Sequence, residues 1–293
     1  MIFYKTSSFG NDFIEIDRGE LPARAETGVL ARQICDRRLG VGADGVVYYS
    51  VGKGKVGFQI FNRDGGEAEL SGNGMAGLAA VLFQRRLAVS PLVLQAGVGC
   101  RRVVLLERSG PVFSLDVEIG NPDFVARSFF PFLDGRQGAY DAAGVEFHPV
   151  SVGNPHAVVL CRKLPAVARM ASLGRALEGH PLFPKRVNVE FVQALDQENC
   201  RVYFYERGVG PTQASSTGSA AVFAVMRRLG MAGDQLLIEH DPEPIRLRWR
   251  AARPPSPQWG WRAARPPSPK WDRQGGIHIR IVTRLVCRGE YHL

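Results

Sequence analysis

Ser71-Gly72-Asn73-Gly74-Met75-Ala76 and Ser215-Ser216-Thr217-Gly218-Ser219-Ala220 share one pattern, Ser-x-x-Gly-x-Ala, and their surroundings match as well. The first leads into Leu78-Ala79-Ala80-Val81-Leu82-Phe83, the second into Ala220-Ala221-Val222-Phe223-Ala224-Val225-Met226, and both close on Arg-Arg-Leu, at 85–87 and 227–229. A helix that is apolar on every side is buried on every side, so each run is expected to form the central helix of its own small unit. Further helices are expected near 24–38 and 164–178. Between them, Val56/Phe58/Ile60, Phe113/Leu115/Val117/Ile119, Val202/Phe204 and Ile277/Ile279 alternate with small or polar residues, the period of a half-buried strand. The fold class is therefore α+β: two pseudo-symmetric domains, each a mixed, mostly antiparallel sheet wrapped around a central buried helix. Residues 1–118 plus 283–293 are assigned to the first domain and 119–282 to the second.

The starts of the two central helices carry the chemical information. A glycine-bearing turn before a helix leaves backbone N–H groups unpaired at the positive end of the helix dipole. Such an end binds carboxylate or phosphate readily. If the halves face one another, one carboxylate could be held by both helix ends, with the two serines on opposite sides of the carbon attached to it. Taken singly, each serine is equally well read as a helix N-cap.

The composition narrows the field. With 293 residues, 45% hydrophobic and 22% charged, the chain has the material for two globular domains and is not expected to be disordered. No apolar run reaches the roughly 18–20 residues of a bilayer helix. The start, Met1-Ile2-Phe3-Tyr4-Lys5, lacks a signal peptide's charged and apolar regions, so a cytoplasmic location and no membrane partner are expected. Cys35, Cys100, Cys161, Cys200 and Cys287 show neither metal spacing nor a disulfide framework; they are expected as reduced, buried thiols, with no metal site.

The net charge of +9 invites a nucleic-acid reading. Much of it, however, comes from residues 250–271, which hold Arg250, Arg253, Arg262, Arg265 and Lys270 and no acid. No nucleic-acid partner is therefore expected. That segment is a tandem repeat: Trp-Arg-Ala-Ala-Arg-Pro-Pro-Ser-Pro stands at 249–257 and again at 261–269. Its prolines favour an extended polyproline path. A duplicated surface loop between two strands is the expectation, with a Pro-x-x-Pro ligand at Pro254–Pro257 as the alternative.

Six further stretches make the chain resemble the diaminopimelate epimerases. They are Phe9-Gly10-Asn11-Asp12-Phe13; Cys35-Asp36-Arg37 with Gly42-Ala43-Asp44-Gly45; Phe61-Asn62-Arg63-Asp64-Gly65; Gly153-Asn154-Pro155-His156; Val187-Asn188-Val189-Glu190-Phe191; and Glu206-Arg207-Gly208-Val209-Gly210. The resemblance implies an active site between two domains, no cofactor, a homodimer and a small amino-acid substrate. It also implies inversion of one α-carbon of LL-diaminopimelate to the meso form, on the route to lysine and peptidoglycan. Holding the unreactive zwitterionic end of such a substrate needs a fixed cation and an anion. Arg207 supplies the planar fork and Glu206 the carboxylate, while Asn62, Asn154 and Asn188 can both donate and accept. By the resemblance, Asn11 and Asn73 lie near the reacting end; Gly72, Ser216 and Thr217, at the helix starts, are further candidates for binding the substrate.

The chain departs from that family at the chemistry. The resemblance implies two catalytic cysteines, one removing the α-proton and one returning it from the other face; Ser71 and Ser215 stand at those positions, and Ser216 replaces a glycine. A cysteine has a pKa of about 8.5, and a serine hydroxyl is several units less acidic. The helix dipole offers only about 0.3–1 kcal/mol, up to roughly 2, which does not close that gap. Serine needs a neighbouring base, and His156 is the candidate helper. Three readings stay open at this stage. One is an epimerase with altered chemistry, another a silent paralogue that binds diaminopimelate or a related amino acid. The last is an isomerase or dehydratase for another amino acid.

Overall fold

The computed structural model describes residues 1–22, 25–52, 55–134, 138–241, 243–251 and 275–292. Residues 252–274, which hold most of the tandem repeat, fall outside these, and so do the loop and Pro-x-x-Pro readings made for it. The strands on either side, Ile245–Arg250 and Gly276–Glu290, pair antiparallel with Arg250 opposite Gly276. Trp249, the first residue of the repeat, is part of the former strand and lies under the Arg227 guanidinium at 4.5 Å.

Four α-helices lie among the described residues: α1 (Thr27–Cys35), α2 (Gly72–Gln84), α3 (Val167–Glu178) and α4 (Ser216–Arg228). The two Ser-x-x-Gly-x-Ala motifs open α2 and α4. α2 begins six residues before its apolar run at Leu78 and α4 four before its run at Ala220, because the serine in each motif is the cap. Ser71 and Ser215 have extended backbones, and each hydroxyl accepts the N–H of the residue three further on, Gly74 at 3.2 Å and Gly218 at 3.1 Å. Every residue from Gly72 to Phe83 is buried, and every residue from Ser216 to Met226. By contrast, α1 and α3 bury one stripe each, Leu30/Ala31/Ile34/Cys35 and Met170/Gly174/Leu177, as amphipathic helices on a sheet surface do.

The strands form one connected, mixed and mostly antiparallel sheet, which curls around both inner helices. Around α2 stand Ile2–Ser8, Asn11–Asp17, Gly45–Gly52, Gly99–Ser109 and Val112–Gly120. Around α4 stand Val145–Ser151, Pro155–Leu160, Asn188–Ala194 and Ile245–Arg250. The long last strand, Gly276–Glu290, touches both helices. Its first part pairs with Ile245–Arg250 and with Val112–Gly120, its end with Ile2–Ser8. One strand thus belongs to both halves and fixes the angle between them. Among the described residues no helix is long and apolar enough to cross a membrane.

Close packing inside the first half is set by glycine. A β-carbon on Gly77 of α2 would collide with Glu15 Oε1 and Thr6 Oγ1, which are hydrogen-bonded to each other at 2.6 Å. Thr6 is stiff about its first side-chain torsion, so it cannot swing aside. Gly77→Ala is expected to cost about 1–3 kcal/mol, read as a fall in the urea midpoint with an unchanged slope.

The cysteines need correction. Cys35 and Cys200 are buried, but Cys100 and Cys161 are partly exposed and Cys287 is exposed, on a strand end that lies at the surface. All five are free thiols. Burial pushes Cys35 and Cys200 up to about 12, with nearby carboxylates adding to the effect. Neither is a thiolate at neutral pH, so neither can take over the chemistry of a missing reactive cysteine.

Candidate active site

The N-termini of α2 and α4 meet. The backbone N–H of Asn73 donates to Ser216 Oγ at 3.2 Å, a bond between residues on different halves. Around this junction lies a narrow, partly open cleft with about 60 Å³ of free volume, lined by Asn11, Asn62, Ser71, Asn73, Asn154, Asn188, Glu206, Arg207, Ser215, Ser216 and Thr217. Two singled-out residues stand outside the lining. Gly72 packs directly under Ser216, and His156 is fully buried behind Asn154.

Each wall is positioned by bonds that the sequence foretold only in part. The turn between Ile2–Ser8 and Asn11–Asp17 runs through Phe9 and Gly10, both at positive φ (51° and 79°). It presents Asn11, whose side chain donates to Asp44 at 2.9 Å and accepts from Asn73 at 3.1 Å. The turn is anchored by Asp12, held by Arg37 at 2.7 and 3.1 Å and by Lys5 at 3.0 Å. Burial raises the Asp12 carboxyl, but hydrogen bonds from Arg37 and Lys5 outweigh it and leave the group below the usual range.

In the second half, Asn188 donates to the Pro155 carbonyl at 2.9 Å and accepts the Arg207 N–H at 2.9 Å. Asn154 donates to Thr217 Oγ1 at 3.3 Å, and its oxygen faces His156 Nε2 at 2.9 Å. An amide oxygen only accepts, so Nε2 carries a proton and Nδ1 is turned to Glu190 Oε1, 2.8 Å away. These asparagines therefore spend much of their hydrogen-bonding capacity on the protein. His156 is part of the scaffold beneath the cleft, not a group that reaches a bound molecule.

The carboxylates are placed differently from what the spacing suggests. The Arg207 fork is engaged by Glu69, from the opposite half of the molecule: both Nη atoms meet its carboxylate, Nη1 at 3.2 Å. Glu206 is partly buried in the cleft wall, accepts from Thr212 at 3.1 Å and from Ser215, and is pushed up to about 7 because its carboxyl is withdrawn from water. A base titrating near neutrality thus touches the hydroxyl at the start of α4. Asn73 Oδ1 is buried without a hydrogen-bond partner, an acceptor facing no donor. Sequence reasoning missed Glu69, Thr212, Asp44 and the role of Glu190. Glu69 lies two residues before Ser71 and Glu190 sits inside a quoted motif, but nothing in their spacing reveals a partner more than 30 residues away. Among the described residues no group of three His, Cys, Asp or Glu side chains could hold a metal ion.

Solved structures share this architecture. A hydroxyproline epimerase from Agrobacterium vitis matches with a TM-score of 0.69 at 15% identity, over 99% of this chain and 91% of that one. A phenazine biosynthesis protein of the PhzF family from Bacillus anthracis matches with a TM-score of 0.63 at 14% identity, over 100% and 99%. Curated sequences are nearer. The diaminopimelate epimerase of Desulforapulum autotrophicum is 32% identical over 258 residues, covering 84% of this chain and 90% of that protein. The corresponding protein of Methanothermobacter thermautotrophicus is 33% identical over 254 residues, covering 81% and 86%. Fold, cleft and relatives together define an isomerase of the epimerase type. The sequence profile of the diaminopimelate epimerases matches residues 3–123 and 149–255. The chain belongs to the diaminopimelate epimerase family.

Proposed function

We propose that this protein inverts the α-carbon of an amino acid of the diaminopimelate type, LL to meso, by proton removal and return without a cofactor. The observation that carries this is Ser215 hydrogen-bonded to Glu206, a carboxyl poised at about 7, at the mouth of two helices whose N-termini meet. The substrate's α-carboxylate lies at the helix ends, where backbone N–H groups stabilise the charge that builds up as the α C–H bond breaks. Its α-ammonium supplies the donor that Asn73 Oδ1 lacks. Glu206 supplies what serine cannot. The proton leaving the carbon passes to its carboxylate, directly or through the Ser215 hydroxyl, and the electron pair stays on the carbon and its carboxylate. Ser71, lining the same cleft, returns a proton from the other face and regains one from water.

Glu206 also fixes the pH behaviour. Its carboxyl binds a proton more tightly in the folded chain than in the unfolded one, so stability falls as pH rises from the ordinary carboxylate range to about 7. Exchange rises over the same interval, because the base must be ionised. Glu206→Gln is expected to flatten the stability profile and to abolish exchange.

The serine caps favour a second reading, a protein that binds such an amino acid without turning it over. Incubation with LL-diaminopimelate in deuterated water separates the two. Deuterium at one α-carbon with meso product supports the epimerase, and substrate-dependent thermal stabilisation without exchange supports the binding protein. Neither effect points to a different ligand. A homodimer and a cytoplasmic location belong to the same proposal, and light scattering on the purified chain tests the first.

A further inference from the structure

Both places that would hold a ligand's acid groups already hold oxygens of the chain. At the helix ends, the Asn73 N–H is taken by Ser216 Oγ, and a β-carbon built on Gly72 would meet Ser216 Oγ at 2.6 Å and Cβ at 2.7 Å. That hydroxyl fills the junction between α2 and α4 although α4 already has its cap in Ser215. At the far end, Glu69 occupies the Arg207 fork, and Arg207 Nη1 also donates to the Lys185 carbonyl at 3.1 Å. Glu69 and Arg207 both line the cleft and come from opposite halves.

We propose that Glu69 and Ser216 are internal competitors for the two carboxylate positions, and that they set which acids the cleft admits and how tightly. The proposal rests on the reading that a ligand places carboxylates at those two points. A guanidinium fork accepts one bidentate carboxylate, and a single N–H has one strong partner, so a ligand acid and the internal oxygen cannot both be seated. Apparent affinity is then the intrinsic affinity reduced by the fraction of molecules whose internal oxygen has withdrawn. Glu69 lies two residues before Ser71. Its release from Arg207 by a ligand's distal acid therefore also frees the segment that carries the α2 cap.

The test is calorimetric titration of the full chain and of Glu69→Gln, Glu69→Ala and Ser216→Gly with LL-diaminopimelate, L-lysine and pimelate. Diaminopimelate and pimelate carry an acid at both ends; lysine has none at the distal end. Both Glu69 variants should bind diaminopimelate and pimelate about tenfold or more tighter, with lysine within about twofold of the parent. Ser216→Gly should tighten all three. Unchanged or weaker binding of the two diacids by folded Glu69 variants, judged by far-ultraviolet circular dichroism, overturns the role of Glu69. The same result for Ser216→Gly overturns that of Ser216. Tightened pimelate with no binding of either amino acid upholds the competitors and removes the substrate reading instead. If no probe binds any of the four proteins, the competitor proposal fails.

Discussion

Replacing both Ser71 and Ser215 by cysteine is expected to raise solvent-deuterium exchange into LL-diaminopimelate by at least about 100-fold, the lower end of what a well-matched acid–base pair contributes. The two side chains differ by one atom, and both positions are extended N-caps facing one cleft. The acidity changes by several units. Each unit is worth about 1.4 kcal/mol of proton-transfer driving force, and a thiol at a helix N-terminus gains further from the dipole. The cost in stability is small, because sulfur caps a helix less well than oxygen and a lost cap costs about 1 kcal/mol. Mass spectrometry of recovered substrate reads the result. An equal rate in the double variant and the parent would mean that proton transfer does not run through these two positions.

Replacing Glu190 by Ala is expected to lower stability by about 3 kcal/mol, the overlap between losing one partner of a buried pair and leaving a buried polar group without its bond. Glu190 and His156 are both buried to within 1% of complete exclusion and lie 2.8 Å apart. With the carboxyl gone, His156 Nδ1 faces nothing, and the ring no longer holds Asn154 toward Thr217 at the start of α4. Glu190→Gln keeps a hydrogen-bonding group in place and should cost less than half as much. Chemical denaturation gives both numbers, and equal losses for Ala and Gln would show that the charge of the carboxylate, not a hydrogen-bonding group of its size beside His156, is what Glu190 contributes. Because the pair is scaffold, the Gln variant should also retain ligand binding where the Ala variant loses it.

The departures at the helix starts fit together. Ser216 stands where relatives of this kind are expected to have glycine, and its side chain is the atom group that joins α4 to α2. Glu69 then ties the far wall of the cleft to Arg207. At both ends the cleft is bridged by the chain's own side chains. A ligand must compete with these contacts, and this is why the expected effect of removing them is tighter binding.

Most of the architecture was legible in the chain because it rests on local signals. The matched Ser-x-x-Gly-x-Ala runs gave both inner helices, since a segment apolar on every face has nowhere to go but inside a sheet. The alternation around Val56, Phe113, Val202 and Ile277 gave strands, since side chains along a strand point to alternate faces. The asparagines, Glu206 and Arg207 were found as motifs and do line one cleft. What each of them bonds to was beyond the sequence. Arg207 looked free to clamp a ligand, yet its partner is Glu69, brought across by the meeting of two halves. His156 looked like a helper base, yet burial behind Asn154 makes it a support. Glu206 looked like a simple anion, and the loss of water around its carboxyl beside Ser215 turns it into a base near neutrality. Composition and periodicity determined which segments are helix, strand and core, because those follow from short-range sterics and the removal of apolar surface from water. Charge state, hydrogen-bond partners and the contact between helix ends were decided by the tertiary structure alone, because each depends on groups far apart in the chain and on how much water is left between them.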